Sequence, residues 1–163
     1  MEIKGIDRDK VKAISEIKKE DSWIQKYRLD SFSMFEKLDM PSFGPKVNLD
    51  FSEIIYYKAN ERDEMIQSDW NNVLKPVVDE LDKLGVLESE KHLGGMGVQY
   101  ESEVIYHKML EELEEKKVIF TSIEMAMRNY PELVKKYFGK IVSNSENKFA
   151  ALNGAVFSGG SFI

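Results

Sequence analysis

The chain has 163 residues, 42% of them hydrophobic and 32% charged, which is enough for one packed core and too few for two ordinary domains. Ten Gly and four Pro are too few for collagen-like or linker-like classes, and a net charge of −6, from 23 Lys+Arg against 29 Asp+Glu, repels nucleic-acid phosphates and anionic lipid. With no cysteine, the chain itself has no disulfides, no thiol nucleophile and no thiolate-held zinc or iron–sulfur site.

No apolar run approaches the roughly 20 residues needed to cross a bilayer, and Met1-Glu2-Ile3-Lys4-Gly5 lacks the basic-then-apolar order of a signal peptide. The basic pairs Lys18-Lys19, Lys116-Lys117 and Lys135-Lys136 are isolated and read as solvated helix edges. The expectation is a cytoplasmic protein with neither a membrane nor a nucleic-acid partner.

Residues 9–21 are rich in charge, and Val11, Ile14 and Ile17 draw a thin apolar seam along them, predicting a weakly packed helical arm that frays. Ser22-Trp23-Ile24-Gln25 has the form of a capping box, so a second helix starts there. Its apolar side carries Ile24, Tyr27, Met34, Phe35 and Leu38, interrupted by Ser31, and Pro41 ends it. Met40-Pro41-Ser42-Phe43-Gly44-Pro45 is a loop, and Ile54-Ile55-Tyr56-Tyr57, within residues 51–57, is a short strand. A polar run, Asn60-Glu61-Arg62-Asp63-Glu64, follows. Trp70, Val73, Leu74, Val77, Val78, Leu81 and Leu84 share one helical stripe, with Gly85 as a left-handed stop. Pro76 either kinks that helix or lies in its first turn near Lys75.

Gly94-Gly95-Met96-Gly97 reads as a turn between helices, and Ile105, Tyr106, Met109, Leu110 and Leu113 trace an amphipathic helix through about Lys117. Val118-Ile119-Phe120 is extended. Thr121-Ser122-Ile123-Glu124 is a second capping box, opening a helix that stops before Pro131, and Pro131 opens the next, which Gly139 closes. Phe149, Leu152, Val156 and Phe157 form a last helical face before Gly159-Gly160 and a terminal strand, Ser161-Phe162-Ile163. That strand ends on an apolar pair without continuation, so its edge is open to another chain or to a following segment. The aromatic positions Trp23, Tyr27, Phe35, Phe43, Trp70, Tyr100, Phe138, Phe149 and Phe157 are expected mostly in the core.

Candidate chemistry is sparse. On the predicted helix, Glu103, His107 and Glu111 are spaced by four, so two carboxylates and an imidazole project from one face, the donor set of a divalent metal. A charged helix face opposite an apolar stripe more often meets water, and no metal site is assigned. His92 reads as a surface residue. The glycines at 94–97 lack the lysine and hydroxyl of a phosphate cradle, and the pairs Glu111-Glu112 and Glu114-Glu115 serve solubility.

Three stretches carry a resemblance: Gly94-Gly95-Met96-Gly97-Val98-Gln99-Tyr100-Glu101-Ser102-Glu103-Val104-Ile105-Tyr106-His107, then Glu132-Leu133-Val134-Lys135-Lys136-Tyr137-Phe138-Gly139-Lys140, then the run from Asn147-Lys148-Phe149 through Gly159-Gly160-Ser161-Phe162-Ile163. With Met40-Pro41-Ser42-Phe43-Gly44-Pro45 and Ile54-Ile55-Tyr56-Tyr57 in the same order, the chain from about Ile14 onward resembles SufB of the SufB/SufD family, the scaffold of SUF iron–sulfur cluster assembly. Phe43 and Phe157 stand where that family frequently has tryptophan.

The resemblance implies a mainly α fold with a few short strands (α+β), divided into a helical arm at 1–21, a SufB-like helical domain at 22–157, and the first strand of a truncated β-helix at 158–163. It also implies partners, a SufC-type ATPase and a SufD-type paralogue, and a cluster built by the intact protein. The family's cysteine, glutamate and histidine residues of sulfur transfer lie in a region this chain does not contain, so no catalytic residue and no cofactor is carried over. The resulting expectation is a cluster-assembly protein that acts by contact and is no enzyme, with self-association through its C-terminal edge. Two rivals are a small iron-binding protein using Glu103, His107 and Glu111, and a fragment without a role of its own.

Overall fold

The structure is a computed structural model and describes residues 1–59 and 66–163, so the polar run Asn60-Glu61-Arg62-Asp63-Glu64 lies outside the described residues. In chain order the elements are β1 (Glu2–Lys4), α1 (Arg8–Ile17), α2 (Ser22–Lys37), β2 (Ile55–Lys58), α3 (Lys75–Lys83), α4 (Val86–Glu90) and β3 (Gly95–Tyr100). They continue with β4 (Glu103–Met109), α5 (Glu111–Glu115), β5 (Thr121–Ser122), α6 (Ile123–Asn129), α7 (Pro131–Tyr137), α8 (Lys148–Val156) and β6 (Ser161–Phe162). Among the described residues the fold is mainly α with three two-stranded antiparallel sheets, β1–β2, β3–β4 and β5–β6. Two units divide the chain: residues 1–58 with 135–158, and residues 59–134 with 159–163.

The first unit is built on helices. Asp7 caps α1 by accepting from the Lys10 amide at 2.8 Å, and this bond holds the Asp7 carboxyl below its ordinary pKa. Of the seam expected to pack weakly, Val11 and Ile14 are buried and Ile17 is half-buried. Helix α2 begins at Ser22 as predicted, but its cap residue is Asp21, whose side chain makes no capping bond. Ser22 already has helical geometry there, so the expected capping box with Gln25 does not form. Val11, Phe32 and Phe35 pack with Ala151 and Ala155 of α8, joined by Phe51, Leu152 and Val156. Asn147 starts α8 by accepting from the Phe149 and Ala150 amides at 2.9 and 3.0 Å.

Small residues let α2 and α8 approach closely. A methyl group on Gly154 would stand 2.6 Å from Ser31 Oγ, so Ser31, which interrupts the apolar stripe, is a contact point. Beside it the fold buries a charge. Arg28 is 0% exposed; its Nε and Nη2 donate to the two Glu20 oxygens at 2.7 and 2.5 Å, its Nη1 donates to the Ala155 carbonyl at 3.2 Å, and its guanidinium lies 3.8 Å from the Phe157 ring centre. The strand predicted over 51–57 is shorter and later, β2, and pairs with β1. Phe43 is 67% exposed in its proline-rich loop, against the expectation that it is core.

The second unit corrects the largest expectation. The segment read as a turn followed by a helix to Lys117 is a β-hairpin, β3–β4, joined through Glu101 and Ser102, with Glu101 at φ +55°. Only α5 at its end is helical. Ile105 and Tyr106 are adjacent, so on a strand they face opposite sides, yet both are buried. A strand covered on both faces reads as a continuous apolar run, which periodicity cannot separate from a buried helix. The glycines belong to the strand: a methyl on Gly95 would stand 2.6 Å from the Phe120 ring, so Phe120 packs on bare backbone.

Val73, Ile105 and Tyr106 form this unit's core, with Trp70, Val77, Val78, Met96 and Val98 around them. The single long stripe predicted from Trp70 resolves into a 3-10 turn at Trp70–Asn72 and then α3, with Pro76 in its first turn, one of the two placements expected. Gly85 is left-handed at φ +73°, and α4 follows it directly. Helix α6 is capped by Ser122, which accepts from the Met125 amide at 3.2 Å, one residue later than the predicted box. Pro131 opens α7 as expected.

Candidate functional site

Strand β6 follows two glycines that only glycine geometry allows. Gly159 and Gly160 have φ of +69° and +124°, and a methyl on Gly159 would collide with the Gln99 side chain. The turn is pinned by Glu124, whose carboxylate accepts from the Gly159 amide at 2.7 Å, and by Gly160, whose carbonyl accepts from the Ile123 amide at 3.0 Å. Thr121 then stands opposite Phe162, and Ser122 opposite Ser161. The terminal segment is therefore paired on one side by β5, and as half of a two-stranded sheet it keeps a second edge. Ile163 is 85% exposed beside it.

A cavity of about 200 Å³ adjoins this pair, lined by Gly97, Val98, His107, Thr121, Gly160 and Ser161 among others. His107 stacks obliquely on Phe120, with ring centres 4.6 Å apart. Its Nε2 is buried and has no hydrogen-bond partner among the described residues. Burial lowers the His107 pKa below its ordinary value, with Glu114 and a hydrogen bond to the Phe120 backbone opposing. The ring is held toward its neutral form.

The three candidate metal donors, to which no site was assigned, do not share a helix face. Glu103 and His107 lie on β4, where four residues separate them by roughly 13 Å along the strand, and Glu111 lies on α5. The i, i+4 proximity that suggested a donor set requires a helix that is not there. Among the described residues no three His, Cys, Asp or Glu side chains converge on a metal position. With no thiolate in the chain, the residues present do not fit an iron–sulfur cluster. His92, at the end of α4, is exposed, and Glu111, Glu112, Glu114 and Glu115 are exposed too.

The sequence reading missed a polar bridge in the second unit. Glu90 of α4 accepts from Trp70 Nε1 at 2.7 Å and from the Tyr106 hydroxyl, while Trp70 and Tyr106 stack at 3.8 Å. Burial first, then the Glu90 carboxylate, pushes the Tyr106 phenol far above its ordinary pKa, so it stays a donor. The signal was only the two aromatic side chains, since an acidic residue 16 positions before its partner has no local pattern. This group ties α4 to the hairpin and holds no reactive geometry.

The geometry thus offers an open strand edge and structural polar contacts. The family model for the SufBD protein N-terminal region matches residues 10–163. The chain belongs to the SufBD family. An iron–sulfur cluster assembly SufBD family protein of Staphylococcus saprophyticus is 45% identical over 163 residues, covering 98% of this chain and 34% of the relative. Proteins of the same description from Staphylococcus aureus and Staphylococcus haemolyticus are 44% identical over 162 residues, with the same coverage. The chain spans about a third of the length of these curated relatives. Among the described residues no helix is long and apolar enough to cross a membrane.

Proposed function

We propose that this chain acts in iron–sulfur cluster assembly as a SufB-like N-terminal region, by holding partners and performing no chemistry of its own. The observation that carries the reading is the match over residues 10–163 in a chain without a single cysteine. Such a chain has family identity and no thiolate with which to grip a cluster, so its contribution comes through surfaces. Its partners on this reading are a SufC-type ATPase and a SufD-type paralogue, in the cytoplasm. The open edge of β6 is where a further strand adds, because its backbone N–H and C=O groups offer a ready template. An end rung of a stacked β-structure gains stability from the neighbour laid upon it.

The test is co-purification. The affinity-tagged chain, expressed in cells that make the ATPase and the paralogue, is expected to bring down both or either in stoichiometric amount. Recovery of neither, with the tagged chain folded, contradicts the reading. The iron-binding rival predicts calorimetric Fe(II) uptake that His107→Ala abolishes, and the separation of Glu103, His107 and Glu111 argues against it.

A further inference from the structure

The least expected surface of the first unit is the end of α7 and the loop after it. Over residues 135–142, Ile141 is 90% exposed, Val142 62% and Tyr137 55%, an apolar patch that water does not favour. Its rim is basic: Lys135, Lys136 and Lys140 fall in this stretch and no carboxylate does, with Glu132 and Glu146 just outside it. Lys135 lies over the Trp23 ring at 5.6 Å and Lys136 over the Tyr137 ring at 5.0 Å. Gly139, left-handed at φ +67°, makes the turn that presents Lys140 and Ile141, and the Lys140 amide donates to the Tyr137 carbonyl at 3.1 Å.

The same polypeptide carries the complement. In the second unit, α5 presents the exposed carboxylates Glu111, Glu112, Glu114 and Glu115 with no base among them, and Lys116 and Lys117 come after its last turn. Exposed Leu110 and Val118 flank it. One surface is apolar with a basic rim, the other acidic with apolar neighbours. The net charge of −6 sets nucleic acid and anionic membrane at a disadvantage as occupants of the basic patch.

We propose that the 135–142 surface docks the acidic α5 surface of a second copy of this chain. The two surfaces differ, so the contact is heterologous: each copy keeps one free surface of each kind, and assembly proceeds to rings or open chains. Opposed charges give orientation and speed of encounter, and burial of Ile141 and Val142 gives the affinity.

Sedimentation velocity on the full chain tests this. At about 20 mM NaCl the average mass is expected to rise with protein concentration, and at about 500 mM NaCl association is expected to weaken roughly tenfold or more. Lys136→Glu with Lys140→Glu, and separately Glu112→Lys with Glu115→Lys, are each expected to be monomeric. Mixed, the two variants offer one unaltered pair of surfaces and one pair with its charges exchanged, and are expected to associate with each other. Ile141→Ser with Val142→Ser, at exposed positions that leave the fold intact, is expected to abolish association at every salt concentration. A wild-type chain that stays monomeric throughout overturns the proposal, as does a mixture that fails to pair. Association that persists in either charge variant assigns the contact elsewhere, the β6 edge included, and also overturns it. Flotation of the patch with phosphatidylglycerol vesicles, without self-association, replaces the second copy with a membrane.

Discussion

The two units of this chain reach order by different means. Residues 1–58 with 135–158 rest on helices whose apolar faces meet around Val11, Phe32, Phe35, Ala151 and Ala155, with a doubly bonded Arg28–Glu20 pair buried at their side. Residues 59–134 with 159–163 rest on a hairpin, short helices and a core of Val73, Ile105 and Tyr106, tied by the carboxylate of Glu90. The first places its charge where water cannot reach it, and the second spreads hydrogen bonds over an aromatic stack. The lesson is that a single substitution should injure the first more deeply, because a buried charge stripped of its partner has nothing to replace it.

Each unit carries one of the two tryptophans, Trp23 in the first and Trp70 in the second, so single-tryptophan variants report them separately. The largest effect is expected for Arg28→Ala, which strands the Glu20 carboxylate and removes the guanidinium from the Phe157 ring. It should cost about 3–5 kcal/mol in denaturant unfolding followed at Trp23. A loss under about 1 kcal/mol would mean that Glu20 finds water or another donor, and the contrast between the units would collapse.

Next comes Tyr106→Phe, which keeps the stack on Trp70 but leaves one Glu90 oxygen without its hydroxyl. An expected loss of about 1–3 kcal/mol, read at Trp70, would show that the Glu90 bridge holds the second unit. No change at Trp70 would assign that unit's stability to apolar packing alone.

The smallest effect is a pH dependence. Burial depresses the His107 pKa in the fold, so below the unfolded value of about 6.5 the unfolded chain takes up a proton that the folded chain resists. Stability of the second unit is therefore full above that pH and declines as pH falls toward the lower folded value. His107→Gln should flatten the slope just below about pH 6.5 at Trp70. An unchanged slope in the variant would move the proton uptake to another group.

How much of this was legible in sequence follows from whether the signals were local. A capping residue and a proline set α6 and α7 within a residue or two, since an N-cap or a fixed φ acts on its own turn, while α2 starts at Ser22 without the cap expected for it. The hairpin was misread because Ile105 and Tyr106, adjacent on a strand, are both buried, which depends on Trp70, Val73 and α3 far away in sequence. Nothing local marked Arg28 for burial, for Glu20 lies outside its i±4 neighbourhood and Phe157 is 129 positions on. The candidate metal set fell with the helix that carried it. The terminal strand was foreseen, and its pairing with β5 was not, because a two-residue strand has no periodicity to read.

One measurement bears most directly on the claim that this chain works by contact. The untagged protein, purified under anaerobic conditions and incubated with ferrous iron and sulfide, is expected to elute colourless and free of bound iron and sulfide. A brown protein carrying iron and sulfide in fixed ratio would contradict the account.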